Sequence, residues 1–272
     1  VRCAHLCEDR NDPTVEGAVM KLKIYRVPGS HPCEAVIRAA KIKGIDYKLV
    51  DLLPAMHHLR MSAEFGAGTV PAIKIYDGSG RPRKVQTTVK CLRAIEALVP
   101  EPPLYPAAAE QRERVLEAEA WGVGEFQDAV RRLIWVAMKN NPRAMFSFEN
   151  ELRTPTTLLR PFARPTIWTA RRLNDATDVR AEADLAALPG QLDEIDAMVA
   201  EGTIGGAAPN AADLAVLSSL WLLRAAADLR QLIDSRPCGR KTRELFGEAP
   251  GEIPAGSLPA KWLTAVNSAA AA

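Results

Sequence analysis

The sequence has no C-x-x-C pair, and its five cysteines, at positions 3, 7, 33, 91 and 238, are an odd number. Both facts argue against a disulfide framework and a standard zinc site, and they fit a reducing cytosol. Cys3, His5 and Cys7 lie close together but make a poor cage in an unpatterned end, so no metal is expected. Net charge is nearly absent as well. Thirty-five Lys and Arg against 33 Asp and Glu leave +2, which supplies no global field to recruit nucleic acid or an anionic membrane. Long apolar runs are also lacking: the stretch over 211–227 is cut by Asp213 and Arg224 and falls short of a bilayer span. Residues 1–19 lack the cationic start and apolar run of a signal peptide. They mix Glu, Asp, Asn, Pro and Gly without a period, which predicts a flexible arm before a domain starting near residue 20. A soluble, cytoplasmic protein is expected.

What is present is a globular composition, 47% apolar and 25% charged, in 272 residues, enough for two domains. Residues 21–27 alternate apolar and polar, with Leu22, Ile24 and Tyr25 marking a strand that Pro28-Gly29 ends. Pro32 suits the first turn of a helix, where its missing N–H would have no partner, and Glu34 favours the positive end of the dipole. Val36, Ile37, Ala40 and Ile42 give that helix a buried side, and Gly44 is placed to cap its end. A second strand is expected over 45–52, a weaker helix over 54–65 and a third strand over 70–76. The turn Asp77-Gly78-Ser79-Gly80 then returns the chain through residues 84–86 as an antiparallel partner. Thr87 or Thr88 caps a helix reaching about Leu98, so the order over 20–99 is βαβαββα.

Pro100, Pro102, Pro103 and Pro106 prevent helix and predict an extended linker over 100–106, which is taken as the domain boundary. From residue 107 to 237 the pattern is helical, with long segments near 107–139, 143–172, 178–201 and 210–235. Asn210 and Asp213 form a capping box ahead of Leu214, Val216, Leu217 and Leu220. Residues 238–272 hold Pro250, Gly251, Pro254, Gly256 and Pro259, then Trp262, and are expected to be an irregular tail laid over the surface. The fold class is α/β plus all-α, a βαβαββα domain followed by a helical bundle.

Three local motifs stand at element boundaries: Ser30-His31-Pro32-Cys33 at the first helix, Val70-Pro71 before the third strand, and Gln86-Thr87 before the third helix. With the linker and the helical second half, they resemble the cytosolic glutathione transferase superfamily over about residues 20–235, with a thioredoxin-like first domain. The first motif carries a hydroxyl where redox relatives keep their attacking sulfur.

The resemblance implies glutathione as co-substrate, bound by Val70, Pro71, Gln86 and Thr87. In the family the residue before a cis proline pairs its backbone with the cysteinyl part of glutathione, and Val70-Pro71 matches that pattern. A trans proline opening a strand is the alternative reading. An acidic or amide residue followed by Ser or Thr binds the γ-glutamyl carboxylate in the family, and Gln86-Thr87 stands there. A helix N-terminus offers unpaired N–H groups to such an anion, although Thr87 is equally suited to capping its own helix. Ser30 falls where the family places an activating hydroxyl, which would donate to the bound thiolate and raise its population at neutral pH. Cys33, where redox relatives carry a second sulfur, opens an alternative: glutathione-dependent thiol transfer or reduction through Cys33 itself. A third reading is a non-catalytic thiol-binding module. The second substrate is expected to be a small hydrophobic electrophile, in a pocket for which Trp121, Phe126, Trp135, Phe146, Phe148 and Trp262 are candidates. His31 reads as a solvated turn residue and Arg131-Arg132 as a solvated face. A homodimer is implied by resemblance only.

Overall fold

The computed structural model describes residues 21–53, 56–78, 80–149 and 160–264. The expected arm over 1–19 therefore lies outside the described residues. Strand β1 (Lys21–Arg26) is followed by α1 (His31–Ile42), β2 (Asp46–Asp51), α2 (His57–Phe65), β3 (Ala72–Tyr76), β4 (Arg83–Gln86) and α3 (Thr88–Leu98). The four strands form one mixed sheet in the order β2-β1-β3-β4, with β1 and β2 parallel and the other pairs antiparallel. Alternation along the strands divides the side chains between two faces. Leu22 and Ile24 on β1 stand opposite Ile75 and Ile73 on β3 and join the main core with α1 and α3. Tyr25 and Ala72 point the other way, where Met61 of α2 and Leu52 complete a smaller core.

The proline-rich stretch is held down at several points. Lys43, 5% exposed at the end of α1, donates to the carbonyls of Pro100 and Pro102 and pairs with Glu96. The Leu104 N–H bonds the Glu96 carboxylate, and the Leu104 carbonyl accepts from the Ala211 N–H.

Beyond it the chain is helical: α4 (Ala109–Trp121), a π-helical turn (Gly122–Phe126), α5 (Gln127–Asn140), 3-10 turns over Pro142–Glu149 and Arg160–Phe162, then α6 (Ala163–Leu173), α7 (Asp178–Ala200), α8 (Ala211–Leu223), α9 (Ala227–Asp234) and α10 (Pro237–Phe246). Several expected long helices are therefore broken. The one over 107–139 is interrupted where Gly124 leaves helical geometry, at φ −104° and ψ −105°. At neighbouring Gly122 a Cβ would come within 2.8 Å of Val216 on α8, so only glycine permits that approach. In the segment expected over 143–172 the described chain is 3-10 helix and then α6. The tail expected to be irregular from residue 238 instead begins inside α10, because Pro237 restarts the helix at its first position. Residues 247–264 run irregularly up to a short helical turn at Ala260.

Helix α8 is buried on every side, which suits its nearly continuous apolar sequence. It packs against α1, α4, α5 and α10. Its start is the expected capping box: the Asn210 side chain accepts from the N–H groups of Ala212 and Asp213, and Asp213 accepts from the Asn210 N–H at 2.9 Å. Asp213 also accepts from the Gly205 N–H, and the Asn210 amide donates to the Thr203 carbonyl at 2.8 Å. No helix among the described residues is long and apolar enough to cross a membrane. Because Asn210 satisfies three buried backbone groups, Asn210→Ala is expected to lower stability by about 2 kcal/mol. The measurement is a lowered urea midpoint at unchanged m-value, and an unshifted midpoint would contradict this role.

Candidate functional site

The turn between β1 and α1 carries the first motif. Gly29 adopts φ +75°, a left-handed conformation open to glycine, and its Ser30 N–H bonds the Val27 carbonyl at 3.1 Å. Ser30 occupies the N-cap of α1, yet its side chain makes no capping bond. Its carbonyl takes the first helical N–H groups, from Cys33 and Glu34, both at 3.0 Å. Its side chain lies near the Cys33 thiol one turn on and draws the pKa of that thiol down. Ser30 is partly exposed, whereas His31, Pro32 and Cys33 are buried.

Burial decides the chemistry of Cys33. The thiol is 1% exposed and its pKa is pushed up to about 11 by desolvation, against the opposing pull of Ser30, the Val27 backbone and the Arg26 and Arg131 charges. At neutral pH it is a protonated thiol, not the thiolate that attacks disulfides. His31 is likewise not the solvated residue expected from sequence. It is 2% exposed, and burial, then the Arg131 charge, hold its imidazole well below the usual range, although a hydrogen bond with Gln127 opposes them. His31 is neutral and adds no positive charge to the turn.

Gln127 and Arg131 come from α5, immediately after the π-helical turn. The Gln127 amide donates back to the Val123 carbonyl at 3.0 Å, inside that turn. Arg131 is paired loosely with Asp128, at 3.6 Å, and its field reaches both His31 and Cys33. Its neighbour Arg132 is bound in two places by Asp184 on α7, at 2.6 and 2.8 Å. Sequence treated the pair as one solvated face. Their one-residue offset, which sends them in different helical directions, was the available signal.

The second motif faces the same end of the sheet. The Val70–Pro71 peptide is cis. Val70 is partly exposed, and its backbone N–H and carbonyl have no partner among the described residues. Pro71 is buried, and its carbonyl accepts from the Thr87 N–H at 3.2 Å. The third motif is thereby brought to the second. Gln86 does not present a free amide: its NH2 donates to the carbonyls of Ala67 and Thr69, both at 2.7 Å, and so clamps the loop leading to Val70. Thr87 is exposed at the N-cap of α3, makes no side-chain cap and has φ 82°. A β-branched residue rarely adopts that conformation, so the surrounding contacts impose it.

The aromatic candidates separate into different environments. Phe126 is fully buried and stacks on Trp121 with centroids 4.8 Å apart, and Trp262 is 5% exposed, so Phe126 and Trp262 are core. Trp135 packs on the main core, partly buried. Phe148 is wedged between Gly29 and Gly251, where a Cβ on either glycine would come within 2.9 and 2.8 Å of its ring. Phe146 lines a cleft beyond it. No group of residues able to hold a metal ion is found among the described residues.

Comparison with known proteins agrees with this geometry. Residues 24–102 match the family model of the glutathione S-transferase N-terminal domain. No curated protein sequence matches the chain. Among solved structures, it is similar to a maleylacetoacetate isomerase from Anaeromyxobacter dehalogenans with glutathione bound in its active site, at 19% identity over 86% of this chain and 94% of that one, TM-score 0.52. A glutathione S-transferase from Rhodospirillum rubrum is 17% identical over 88% of this chain and 99% of its own, TM-score 0.54. A glutathione transferase from Populus trichocarpa is 14% identical over 90% and 99%, TM-score 0.55.

The raised pKa of Cys33 gives a signed pH expectation. Between the unfolded thiol value of 9.0 and about 11, the folded state holds the proton and the unfolded state has lost it. The contribution of Cys33 to stability is therefore full below pH 9 and is lost as pH rises through 11. Iodoacetamide at pH 7.5 should leave Cys33 unlabelled in the native protein and label it after denaturation, as read by peptide mass mapping. Rapid native labelling would refute the assignment.

Proposed function

We propose that this chain, whose residues 24–102 match the glutathione S-transferase N-terminal domain and whose fold is that of solved glutathione transferases, is a member of that superfamily and a glutathione-dependent transferase in which Ser30 activates the bound thiol. The observation that carries the reading is the peptide of Val70, without a partner among the described residues, at the end of the sheet from which the turn bearing the partly exposed Ser30 also leaves. An extended tripeptide offers the complementary N–H and carbonyl to Val70, with Pro71 fixing the turn. Its γ-glutamyl carboxylate is placed at the N-terminus of α3, where Thr87 lies exposed and the first N–H groups have no helical partner. Gln86 serves this site by clamping the loop that presents Val70.

Ser30 at the N-cap of α1 adds its hydroxyl to the positive end of the helix dipole, and Arg131 adds a charge from α5. All three favour thiolate over thiol on the substrate. The thiolate then attacks a small hydrophobic electrophile, and holding the two together supplies much of the acceleration. The alternative chemistry through Cys33 has less support: its thiol is buried and protonated, and position 30 supplies no second sulfur. The reading further takes residues 20–99 as the thiol-binding domain, 100–106 as the linker, 107–237 as the helical domain and 238–272 as a C-terminal segment. A cytoplasmic homodimer completes it.

Ser30→Ala should lower kcat/KM for conjugation of glutathione to chlorodinitrobenzene by about tenfold or more, the loss expected for a hydrogen bond to a charged group. It should also move the pH-rate profile of the bound thiol upward, while Cys33→Ser leaves that profile in place. Undiminished activity in the Ser30 variant would remove the hydroxyl from the reaction. Activity abolished by Cys33→Ser alone would favour thiol transfer.

A further inference from the structure

We infer that α6 and the turn into α7 form a docking surface for an anionic lipid leaflet, with Trp168 set in the headgroup layer between Arg164 and Arg172. Six large apolar side chains stand exposed among the described residues, and four of them fall here: Phe162 at 61%, Trp168 at 59%, Leu173 at 62% and Val179 at 78%. Single exposed apolar residues are ordinary, whereas a cluster marks an interaction surface. The chain from Arg160 to Asn174 also carries four arginines and no acidic residue. With the whole molecule at only +2, this is a local concentration of charge, and local charge is what a leaflet feels within a Debye length.

Position on the helix sorts these residues. Ala163 and Ile167 are buried, and α6 packs on α5. Arg164, Trp168 and Arg172 recur at every fourth residue, so they share a stripe turned away from that side, and all three are exposed. The Arg172 guanidinium lies over the Trp168 ring, 4.8 Å from its centroid. Arg171, off this stripe, is used internally: it donates to the Ala176 carbonyl at 3.0 Å and pairs with Asp178 at 3.2 Å, which secures the turn into α7.

The alternation of cation and aromatic selects the partner. A protein interface gathers its apolar anchors in a core depleted of charge, whereas here the arginines flank the indole along one stripe. A second copy of the same face would bring like charges together. The interfacial layer of an anionic bilayer takes both kinds of group at once, guanidinium on lipid phosphate and aromatic rings at headgroup depth. At 11 residues α6 is too short to span a bilayer, so it lies on the surface. None of these residues belongs to the thiol site, and the inference stands whether or not glutathione binds.

The test is co-sedimentation of the full chain with vesicles of phosphatidylcholine alone and of phosphatidylcholine with about one-third phosphatidylserine. Binding to the anionic vesicles is expected to be at least about tenfold tighter than to the neutral ones, and to fall as salt is raised. The double variant Arg164→Gln/Arg172→Gln should weaken it by about tenfold or more at an unchanged melting temperature, since both side chains are exposed. Brominated acyl chains in the anionic vesicles should quench part of the tryptophan fluorescence of the wild-type protein, and Trp168→Phe should remove that quenching. No sedimentation, equal binding to both vesicles, equal binding of the double variant, or quenching that persists in Trp168→Phe overturns the proposal. Binding to soluble polyglutamate with none to vesicles would assign the face to an acidic protein partner, and overturns it too.

Discussion

Helix α1 is buried from two directions at once, and the site depends on that. One side lies on the sheet with α3, and the other is covered by α8 of the helical half. Ala35, Val36, Ala39 and Ala40 are fully buried, and the three alanines allow close approach of neighbouring elements. A helix held in this way cannot tilt without opening both cores. Its N-terminus, with Ser30 at the cap and Cys33 one turn inside, is therefore fixed relative to both halves of the protein.

The same arrangement divides two neighbouring polar groups. Ser30 remains at the boundary with solvent, with a hydroxyl that does not cap its own helix. Cys33, inside the packed turn, is kept protonated by desolvation. A thiol at pKa about 11 is a weak competitor for an incoming electrophile or disulfide. The helical half also shapes the turn: Gln127 and Arg131 approach His31 after the π-helical turn, and Phe148 closes over Gly29.

Much of the first half was legible from local pattern. Alternation of Leu22, Ile24 and Tyr25 marked β1, Pro32 marked the first turn of α1, and the cis Val70–Pro71 peptide follows from the family resemblance. Asn210 and Asp213 were legible because a capping box is a contact between residues three apart. Less legible was everything that depends on a distant partner. The amide of Gln86 is consumed by Ala67 and Thr69 across the strand end, and His31 is buried by a helix almost a hundred residues away in the chain. The helix expected over 107–139 is interrupted at Gly124, beside the close approach of α8 to Gly122, and helical periodicity carries no record of that neighbour.

Sequence alone determined the element order of the first half, the position of the three motifs and the start of α8, because each follows from backbone preference, capping or the spacing of apolar residues. Tertiary structure decided the state of the groups at those positions. Cys33 is a protonated thiol, Gln86 a loop clamp and His31 a neutral core residue because their surroundings come from other elements. Desolvation and hydrogen-bond partnership depend on which segments are packed together, and that is a property of the folded chain rather than of any stretch of it.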